Sequence, residues 1–536
     1  MCGYDLYYGN AETQKMVKDV LAKSSDNMIL RGPDQSSKLQ SVIAQKNSLL
    51  VRHFRLNIIG ETNGKQPKKN KDYILLYNGE IFNFVNLGNK YFKKSYLSDT
   101  EFLFDVLTYE KYHIVSEFDG FFSFTFINQN TGEILCGRDR FGIKPLQKVE
   151  LDTGFYLTTD IKLAYHVAKI KTVKIEQNTV KEFFIFGNPL YNNKYLKNIH
   201  EIEPGKITRF INNQTYNVLD FNGATEFDQL KYLNSIKLWR YPNEEVQFSL
   251  SGGVDSNTIY SILRHQNDTS LFLNYNCDDE NFQSELNCVR LNDNKVHEIN
   301  KTKNDLDLEI YKIMDAYFEP YSGGIPSFWV YEQARKNGFK VCYTGVGGDE
   351  LFGGYGINSV KCKSLVKLFL TGRLSELRLL LRRNTRNYFN LLELNHSEKI
   401  SLLNGYNPKE NINLDVVLSA LLKNQFLNAC DRFGMYHGVE VRPPLLNVNA
   451  PKILYSKDQE KKILRNLTSG QHFVSDKKVG FTIRTSDMIA SDFVKSCRDD
   501  AIKFAQDLLS LKIENPSDML LLRLSAVYNF YLRITT

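Results

Sequence analysis

A cysteine stands directly behind the initiator methionine of this sequence. Removal of Met1, which a small second residue permits, would place a thiol and a free α-amino group on Cys2. In model peptides the amine titrates near ~7.7–8.0 and the thiol near ~8.5, so a neutral amine can accept the thiol proton near physiological pH. The pair would form a nucleophile with its own base. Taken alone, a Met-Cys start is more often incidental.

A second chemical feature is the segment SGGVDS, Ser251–Ser256, which follows an apolar strand and opens a helix. Its glycines let backbone N–H groups approach a phosphate, and the N-terminus of a helix favours negative charge. It is not a Walker A loop, because G-x-x-x-x-G-K-[ST] does not occur in the chain. The hydroxyls and Asp255 indicate a pyrophosphate loop in which Asp255 binds magnesium.

The elements that must position Cys2 are short strands separated by Gly, Asn and Asp turns. Examples of the predicted strands are Ser48–Val51, Tyr73–Tyr77, Phe121–Phe126, Glu133–Cys136 and Gly154–Thr158. Helical segments, notably Thr13–Lys23 and Thr100–Glu110, interrupt them. The pattern predicts an α+β domain with a predominantly antiparallel sheet.

Around SGGVDS the predicted secondary structure changes to alternating strands and helices. The predicted elements are the strands Val246–Leu250, Leu271–Tyr275 and Phe339–Tyr343 and the helices Asn257–His265 and Ser284–Asn292. Such alternation indicates an α/β domain with a parallel sheet, and residues from Leu365 onward are mostly helical. We predict two domains, residues 2–210 and 211–536, with a boundary near Pro204–Gly205.

Bulk properties exclude several classes of protein. The 536 residues predict two or three domains, and the net charge of +7 is small for this length. The broken basic run Lys65–Lys71 is interpreted as a solvated loop, so no nucleic-acid partner is expected. There is no signal-peptide pattern and no stretch near the ~20 apolar residues of a membrane helix. The eight cysteines are scattered without a CxxC pair, which favours a cytoplasmic enzyme without disulfides or structural zinc.

Five ordered motifs in the N-terminal part resemble the class II (N-terminal nucleophile) glutamine amidotransferase domain. They are RGPD (Arg31–Asp34), RHFRLNIIG (Arg52–Gly60), NGEIFN (Asn78–Asn83), SDTE (Ser98–Glu101) and GRDRFGIKPL (Gly137–Leu146). The resemblance covers roughly residues 2–210 and implies an Ntn-hydrolase-like sandwich of antiparallel sheets. It also implies that Cys2 attacks the side-chain amide of glutamine.

The same resemblance assigns further roles near Cys2. Arg55 would bind the glutamine α-carboxylate through a bidentate fork, and Asp99 with Glu80 would hold its α-ammonium. Asn78 and the Gly79 N–H would form the oxyanion hole. The backbone that would line the pocket belongs to Leu56, Asn57, Ile58 and Ile59.

Each of these residues also has a purely structural interpretation. Asn78-Gly79 is a favoured hairpin turn, and Asp99 could simply follow a helix-capping serine. Arg55 could be a surface ion-pair partner. The stretch Arg138–Leu146 is interpreted as scaffolding.

The C-terminal part resembles the asparagine synthetase domain, an ATP-pyrophosphatase of adenine-nucleotide α-hydrolase fold, over about residues 230–490. The motifs are SGGVDS, TGVGGDELFGGY (Thr344–Tyr355), DRFGMYHGVEVRPPLLN (Asp431–Asn447), KKILR (Lys461–Arg465) and KKVGF (Lys477–Phe481). Both halves in this order resemble glutamine-hydrolysing asparagine synthetase and its relatives.

This resemblance implies ATP and Mg²⁺ as cofactors. The residues that would contact ATP are Leu250, Ser251, Gly253, Asp255, Ser256, Thr344 and Gly345. Asp255 and Asp349 would share magnesium, unless they are only loop and cap carboxylates. Lys461 would neutralise charge as pyrophosphate departs, whereas a lysine on a helix face is otherwise usually solvated. His437 and Arg442 are interpreted as structural.

The implied reaction joins the two halves. A substrate carboxylate attacks the α-phosphorus of ATP, and ammonia from glutamine then converts the acyl-adenylate into an amide and AMP. An internal, largely apolar passage would keep that ammonia neutral. Partners are therefore glutamine, ATP and a small carboxylate, with a homodimer left open.

Two departures from the family pattern concern the acceptor. Val346 stands where S-G-E-G-x-D-E places a glutamate that assists adenylate and amide formation, and Asn447 replaces the usual aspartate after R-x-P-f-L. Asn447 could be a tolerated exchange that keeps a hydrogen bond. Aspartate remains the leading acceptor, a uronic acid of surface-polysaccharide synthesis is the alternative, and a non-catalytic regulatory relative is the third hypothesis.

Overall fold

A computed structural model describes most of both halves of the chain. The described residues are 2–44, 47–58, 64–171, 174–191, 194–211, 214–223, 227–266, 268–275, 280–293, 295–321, 323, 325–353, 398, 402, 414–451, 461–467, 483–510, 513 and 515–535. Ile59, the Lys477–Phe481 motif and the last two residues of the Thr344–Tyr355 motif lie outside these ranges, as do most residues between Leu365 and 413.

The N-terminal half contains two antiparallel sheets. Its strands are β1 (Cys2–Gly9), β2 (Gln35–Ser36), β3 (Gln40–Ala44), β4 (Asn47–Arg55), β5 (Lys68–Lys69), β6 (Tyr73–Ile81), β7 (Gly120–Asn128), β8 (Ile134–Arg138), β9 (Gln147–Glu150), β10 (Gly154–Thr158), β11 (Ile199–Glu201), β12 (Lys206–Ile211) and β13 (Gln214–Asp220). The first sheet has the order β11-β9-β10-β1-β4-β2, with β3 also paired to β4, and the second has the order β13-β12-β8-β7-β6-β5. This arrangement confirms the predicted α+β class.

Alternation along the strands decides what lies between the two sheets. Tyr4 and Leu6 of β1 and Ile74 and Leu76 of β6 are buried in one shared core. Since side chains on a strand alternate between faces, Cys2 lies on the same face of β1 as Tyr4 and Leu6. Asn78 likewise lies on the inner face of β6, so both reach the end of the sandwich interior.

Helices cover the outer faces of this sandwich. They are Ala11–Lys23, Ser25–Arg31, Phe84–Phe92, Asp99–Thr108, Ile161–Ala168 and Gln177–Phe186, with a 3₁₀ turn at Tyr112–Glu117. The core under the first sheet also contains residues of the C-terminal helix Asp518–Thr535. The two halves therefore share hydrophobic packing.

The C-terminal half is built on a five-stranded parallel sheet of order β16-β15-β14-β17-β18, as the α/β prediction required. The strands are β14 (Gln247–Ser249), β15 (Thr269–Tyr275), β16 (His297–Lys301), β17 (Val341–Tyr343) and β18 (Glu440–Arg442). The chain builds outward from β14 to β16 and then returns to the other side of β14. Parallel sheets bind ligands at such a switch point, beyond the carboxyl ends of the strands.

Helices pack on both faces of the parallel sheet, which gives two separate hydrophobic cores. They are Gln229–Leu238, Val254–Leu263, Glu280–Asn292, Lys303–Tyr317, Pro326–Lys336, Gly348–Phe352, Leu414–Leu421, Asn428–Tyr436, Lys462–Leu467, Thr485–Ile489, Asp492–Lys495, Arg498–Leu509 and Asp518–Thr535, with a π-helical segment at Leu422–Leu427. No helix within the described ranges is long and apolar enough to span a membrane.

A buried ionic cluster centred on Glu201 also joins the halves. The Glu201 carboxylate lies 2.8 Å from Lys194 Nζ, 2.9 Å from Lys423 Nζ and 3.4 Å from an Arg138 nitrogen. Burial opposes ionisation of Glu201, but the charges of Lys194, Lys423 and Arg138 hold its pKa well below the ordinary value. The carboxylate therefore stays ionised at the interface.

Candidate functional site

Cys2 and Asn78 meet at the end of the sandwich interior. The Cys2 N–H donates to Asn78 Oδ1 at 2.9 Å, and both residues are buried. Because a backbone N–H can only donate, the contact fixes the orientation of the amide and turns its Nδ2 away. That Nδ2 is buried without a hydrogen-bond partner. A buried unpaired donor costs about 1–3 kcal/mol, so its position suits a ligand oxygen beside Cys2.

Asn78 and Gly79 lie inside strand β6, so the hairpin-turn interpretation is wrong for this pair. Gly79 has φ +152°, and a Cβ there would lie 2.1 Å from the carbonyl oxygen of Phe121 on β7. Only glycine lets β6 and β7 pair so closely at this point. The ladder thereby fixes the backbone next to Asn78.

Arg55 ends strand β4 opposite Cys2 in the β1–β4 register, and it is buried rather than a surface residue. The segment that follows is held from both halves of the chain. Asp34 Oδ2 accepts from the Asn57 N–H at 2.7 Å, and Lys340 Nζ donates to the same oxygen at 2.7 Å and to the Asn57 carbonyl at 3.2 Å. Leu56 is buried with Met435 of the C-terminal half in a small apolar cluster, and Ile58 packs against that cluster.

Glu80 and Asp99 supply two carboxylates near this site. The Asp99 carboxylate accepts from the Tyr77 hydroxyl at 2.8 Å and from the Ile81 N–H at 3.2 Å. Ser98 caps the helix that begins at Asp99. Burial raises the pKa of both acids, and the Asp99 charge raises that of Glu80 further. A cation placed between two such carboxylates would relieve their repulsion, so the pair suits an ammonium group.

The Cys2 thiol is not activated by its surroundings alone. Burial raises its pKa to about 11 in the chain that carries Met1, although the amino-terminal charge and Arg55 act in the opposite direction. The thiol is therefore protonated at neutral pH and needs a base.

The second candidate site lies where the loops after β14 and β17 meet at the switch point. A Cβ on Gly345 would lie 2.6 Å from the Ser256 nitrogen, and one on Gly348 would lie 2.3 Å from Asp255 Cγ. Glycine at both positions lets the two loops touch. Leu250 and Thr344 anchor the roots of the loops, since their N–H groups donate to the carbonyls of Leu271 and Arg442 at 2.9 and 3.0 Å.

Hydroxyl groups order the first of these loops. The Ser251 and Ser256 hydroxyls lie 3.2 Å apart, and the Ser256 hydroxyl also donates to the Gly253 carbonyl at 3.4 Å. Gly253 is the N-cap of the helix Val254–Leu263, so the loop presents the N-terminus of a ten-residue helix. Free N–H groups at such a terminus attract phosphate.

Lys461 brings the two predicted magnesium ligands together. Its Nζ lies 2.7 Å from Asp255 Oδ2 and 2.6 Å from Asp349 Oδ1. Lys461 has φ +52°, unusual for a residue with a side chain, and its N–H donates to the Phe352 carbonyl at 3.0 Å. Three segments remote in sequence thus converge on one charged cluster.

The donor set at this cluster suits magnesium carried by a nucleotide. Within the described ranges, no three His, Cys, Asp or Glu side chains gather as a metal-binding group. Mg²⁺ commonly uses one or two carboxylates, several waters and substrate phosphates. Asp255 and Asp349 fit that pattern.

The two departures from the family pattern have different surroundings. Val346 is half-buried and packs against the hydrophobic cores on both faces of the parallel sheet. Asn447 is buried in a turn, where its Nδ2 donates to the Pro444 carbonyl at 3.0 Å and its Oδ1 accepts from the Asn449 N–H at 2.9 Å. Asn447 therefore holds backbone, whereas Val346 removes an acid from the loop beside Gly345.

Arg442 is more central than its sequence context indicated. It is fully buried, with its guanidinium 2.6 Å from Glu440 and 2.7 Å from Glu244. Its charge lies 5.8 Å from the Tyr241 ring, and the Tyr241 hydroxyl donates to Glu80 at 3.3 Å. This contact chain connects the parallel sheet to the Cys2 site. The glutamate and arginine that flank Val441 in this short strand were the available signal, because buried charges require partners.

A second link joins two sequence motifs that lie 400 residues apart. Both terminal nitrogens of Arg31 donate to the Asp431 carboxylate, at 2.8 and 3.1 Å, and both residues are buried. His437, also predicted to be structural, packs against the Phe328 ring at 4.5 Å.

Comparison with known proteins yields matches to both halves. Residues 1–220 match the glutamine amidotransferase domain model, and residues 242–512 match that of asparagine synthase. Glutamine-hydrolysing asparagine synthetase 1 of Bacillus subtilis is 27% identical over 67% of this chain and 59% of the relative. A Methanocaldococcus jannaschii protein, provisionally named glutamine-hydrolysing asparagine synthetase 2, is 25% identical over 75% of this chain and 85% of the relative. These matches confirm the predicted family resemblance.

Among solved structures, glutamine phosphoribosylpyrophosphate amidotransferase of B. subtilis aligns at 14% identity with a TM-score of 0.29, covering 47% of this chain and 61% of that one. The chain spans less than two thirds of the length of the B. subtilis synthetase and a larger share of the M. jannaschii relative.

Proposed function

The chain belongs to the asparagine synthase family, and from this premise we propose that it transfers ammonia from glutamine to an ATP-activated carboxylate. The observation that carries the proposal is the convergence of Asp255, Asp349 and Lys461 beside a helix N-terminus. A pair of carboxylates and a cation at this position suits a magnesium–nucleotide complex and its departing pyrophosphate.

In the proposed glutaminase step, the α-amine of processed Cys2 takes the thiol proton, and the sulfur attacks the glutamine side-chain carbonyl. Asn78 holds the Cys2 nitrogen through Oδ1 and offers Nδ2 to the developing oxyanion, together with the Gly79 N–H. The proton returns to the leaving nitrogen and releases ammonia. Water then hydrolyses the thioester to glutamate.

Recognition of glutamine is proposed to use charges at both ends of its backbone. Arg55 pairs with the α-carboxylate, and Glu80 with Asp99 receives the α-ammonium. The raised pKa values of the two acids support this assignment, because a bound cation would offset their burial and mutual repulsion.

In the proposed synthetase step, an acceptor carboxylate oxygen attacks the α-phosphorus of ATP and breaks its bond to the bridging oxygen of pyrophosphate. Magnesium held by Asp255 and Asp349 would supply charge compensation for the phosphates. Lys461 donates to the leaving pyrophosphate, and the Ser251–Ser256 loop holds its oxygens. Ammonia then attacks the acyl carbon, and AMP leaves with the electron pair of the broken C–O bond.

We propose aspartate as the acceptor, giving asparagine, with cytoplasmic localisation. The names of the relatives support aspartate. Val346 favours the second candidate, the same chemistry on another carboxylate such as a uronic acid, because a valine in this loop cannot move the proton that a glutamate would.

The test supplies glutamine, ATP and magnesium with a panel of carboxylates that includes aspartate and uronic acids, and measures AMP and amidated product. Product with aspartate alone supports the first candidate, and product with a sugar acid alone supports the second. Failure of every acceptor to release AMP, with ATP bound, would favour the regulatory hypothesis.

A further inference from the structure

A cavity of about 510 Å³ lies between the two halves and is separate from both candidate catalytic clusters. Its N-terminal wall includes Asn83, Phe118 and Arg140, and its C-terminal wall includes Lys231 and Asn449. None of the predicted site residues lines it. Cavities of roughly 300–1,000 Å³ are typical of small-molecule sites.

The carboxylates that line this cavity already have partners. Glu117 pairs with Lys90 at 2.7 Å, and Asp119 accepts from the Trp239 indole N–H at 2.9 Å. Asp139 accepts from backbone N–H groups, including that of Ile143 at 2.9 Å. Each of these three carboxylates therefore already accepts a hydrogen bond from within the protein.

The two cations of the cavity, half-buried Arg140 and exposed Lys231, form no ion pair with these acids. Half-buried Arg140 donates to the carbonyls of Val448 and Ala450, at 3.4 and 2.9 Å. Among the ion pairs between described residues, which extend along the chain from Arg31–Asp431 to Lys461–Asp349, none includes Arg140 or Lys231. Burial lowers the pKa of Arg140, and no neighbouring acid offsets that effect. A partly desolvated guanidinium without a counter-charge gains most from an anion.

We propose that this interdomain cavity binds a small organic anion, whose carboxylate or phosphate oxygens pair with Arg140 and Lys231. The remaining lining suits the body of such a molecule, since Asn86 and Asn234 offer amide donors and acceptors and the phenyl rings offer apolar faces. The rings are those of Phe118, Phe141 and Phe221. The amides of Asn83 and Asn449 instead donate to the Glu117 carbonyl at 2.8 Å and to the Ser235 hydroxyl at 2.6 Å, and so hold the walls in place.

The position of the cavity gives its ligand a means to couple the halves. On one wall, Gly120 pairs with Ile81, the residue after Glu80, in the β6–β7 ladder. On the other, Leu446 packs over Gly347, where an added Cβ would lie 2.5 Å from the leucine. A bound anion would therefore stabilise the contact between the two halves of the chain. This inference does not depend on the proposed reaction.

The test is calorimetric titration of the full-length protein with citrate and, separately, with glycerol 3-phosphate, so that carboxylate and phosphate recognition are distinguished. We expect at least one probe to bind, and Arg140→Met and Lys231→Met each to raise its Kd about tenfold or more, the loss typical of one charged hydrogen bond. Arg140→Lys should bind more tightly than Arg140→Met.

The matched control is Lys237→Met, which removes an exposed lysine from the same helix but outside the cavity lining. It should bind the probe as the unmodified protein does. Because Arg140 also holds two carbonyls, Lys231→Met keeps the test valid if Arg140→Met unfolds. The proposal is overturned if neither probe binds below about 10 mM, or if Lys231→Met and the folded Arg140 variants bind like the unmodified protein.

Discussion

Replacement of Asn78 by alanine distinguishes a catalytic role of this residue from a purely structural one. The substitution removes the Oδ1 that accepts from the Cys2 N–H and the Nδ2 that has no partner. If Asn78 serves the oxyanion, its donor is used only in the transition state. We therefore expect kcat for glutamine hydrolysis to fall while KM for glutamine changes little.

The magnitudes follow from the contacts. Loss of one oxyanion donor costs about 10²–10³ in kcat, or ~2.7–4 kcal/mol. Stability should change by less, because two effects of about 1–3 kcal/mol oppose each other. The Cys2 nitrogen loses its acceptor, but the free protein no longer buries an unpaired amide donor. The expected net change in the free energy of unfolding is within ~1 kcal/mol.

The assay measures glutamate release, ammonium-dependent AMP formation and thermal unfolding for Asn78→Ala. The matched control is Ser123→Ala, at the buried position opposite Asn78 in the β6–β7 register. Activity with ammonium should survive in both variants. The reasoning would be refuted if glutaminase kcat fell less than about threefold, or if the ammonium reaction fell equally.

Three further predictions concern other parts of the molecule. Lys461→Met should abolish pyrophosphate release and leave glutaminase activity within about twofold, as measured by parallel assays of the two products; equal loss of both activities would contradict the assignment. Glu201→Gln should lower the free energy of unfolding by about 3–5 kcal/mol, because it removes a buried negative charge that Lys194, Lys423 and Arg138 share. The exposed control Glu203→Gln should change it by less than ~1 kcal/mol. The pKa of Glu201 is depressed in the folded protein, so its contribution to stability is present above its unfolded pKa and is lost as pH falls through the folded value. Urea titrations should therefore show a smaller difference in the free energy of unfolding between Glu201→Gln and the unmodified protein at low pH. In a chain that retains Met1, the alkylation rate of Cys2 should keep rising with pH toward the thiol pKa of about 11. A plateau near pH 8 in that chain would show that burial does not set the pKa of the thiol.

The sequence predicted the fold class because strand composition and strand–helix alternation are local signals. The strand predicted at Gly154–Thr158 has these same bounds in the structure, and the strand predicted at Tyr73–Tyr77 extends to Ile81. The first strand, Cys2–Gly9, was not identified. Helix starts were less accurate, since the helix expected from Asn257 begins at Val254, within the phosphate-loop motif.

The geometry of the candidate sites depends on pairing between strands that are remote in sequence. Such pairing cannot be predicted from the local pattern of a single sequence. Asn78-Gly79 satisfies the local rule for a turn, yet pairing with β7 keeps both residues inside a strand. The β1–β4 register that sets Cys2 opposite Arg55 is likewise a tertiary outcome. Roles for Cys2 and Lys461 were inferred from family resemblance, and these roles remain predictions, as does the domain boundary near Pro204–Gly205.

Polar contacts between the halves were the least predictable feature. Arg442, which was assigned only a structural role, is connected to Glu80 through contacts with Tyr241. Arg140 belongs to a stretch that was interpreted as scaffolding, yet it lines a cavity. Both arginines contact residues that are remote in sequence, so their partners become neighbours only in the folded chain. Burial of a charge could be suspected from an apolar sequence context, but its partners could not be named.

The central claim is that nitrogen released at Cys2 reaches the acceptor at the Asp255–Lys461 site without leaving the protein. The most direct measurement supplies [amide-¹⁵N]glutamine, ATP, magnesium and the active acceptor together with excess unlabelled ammonium, and follows ¹⁵N in the amide product. The account predicts labelled product from the unmodified protein and unlabelled product from Cys2→Ala. It is contradicted if the unmodified protein forms only unlabelled amide, or if Cys2→Ala still transfers the label.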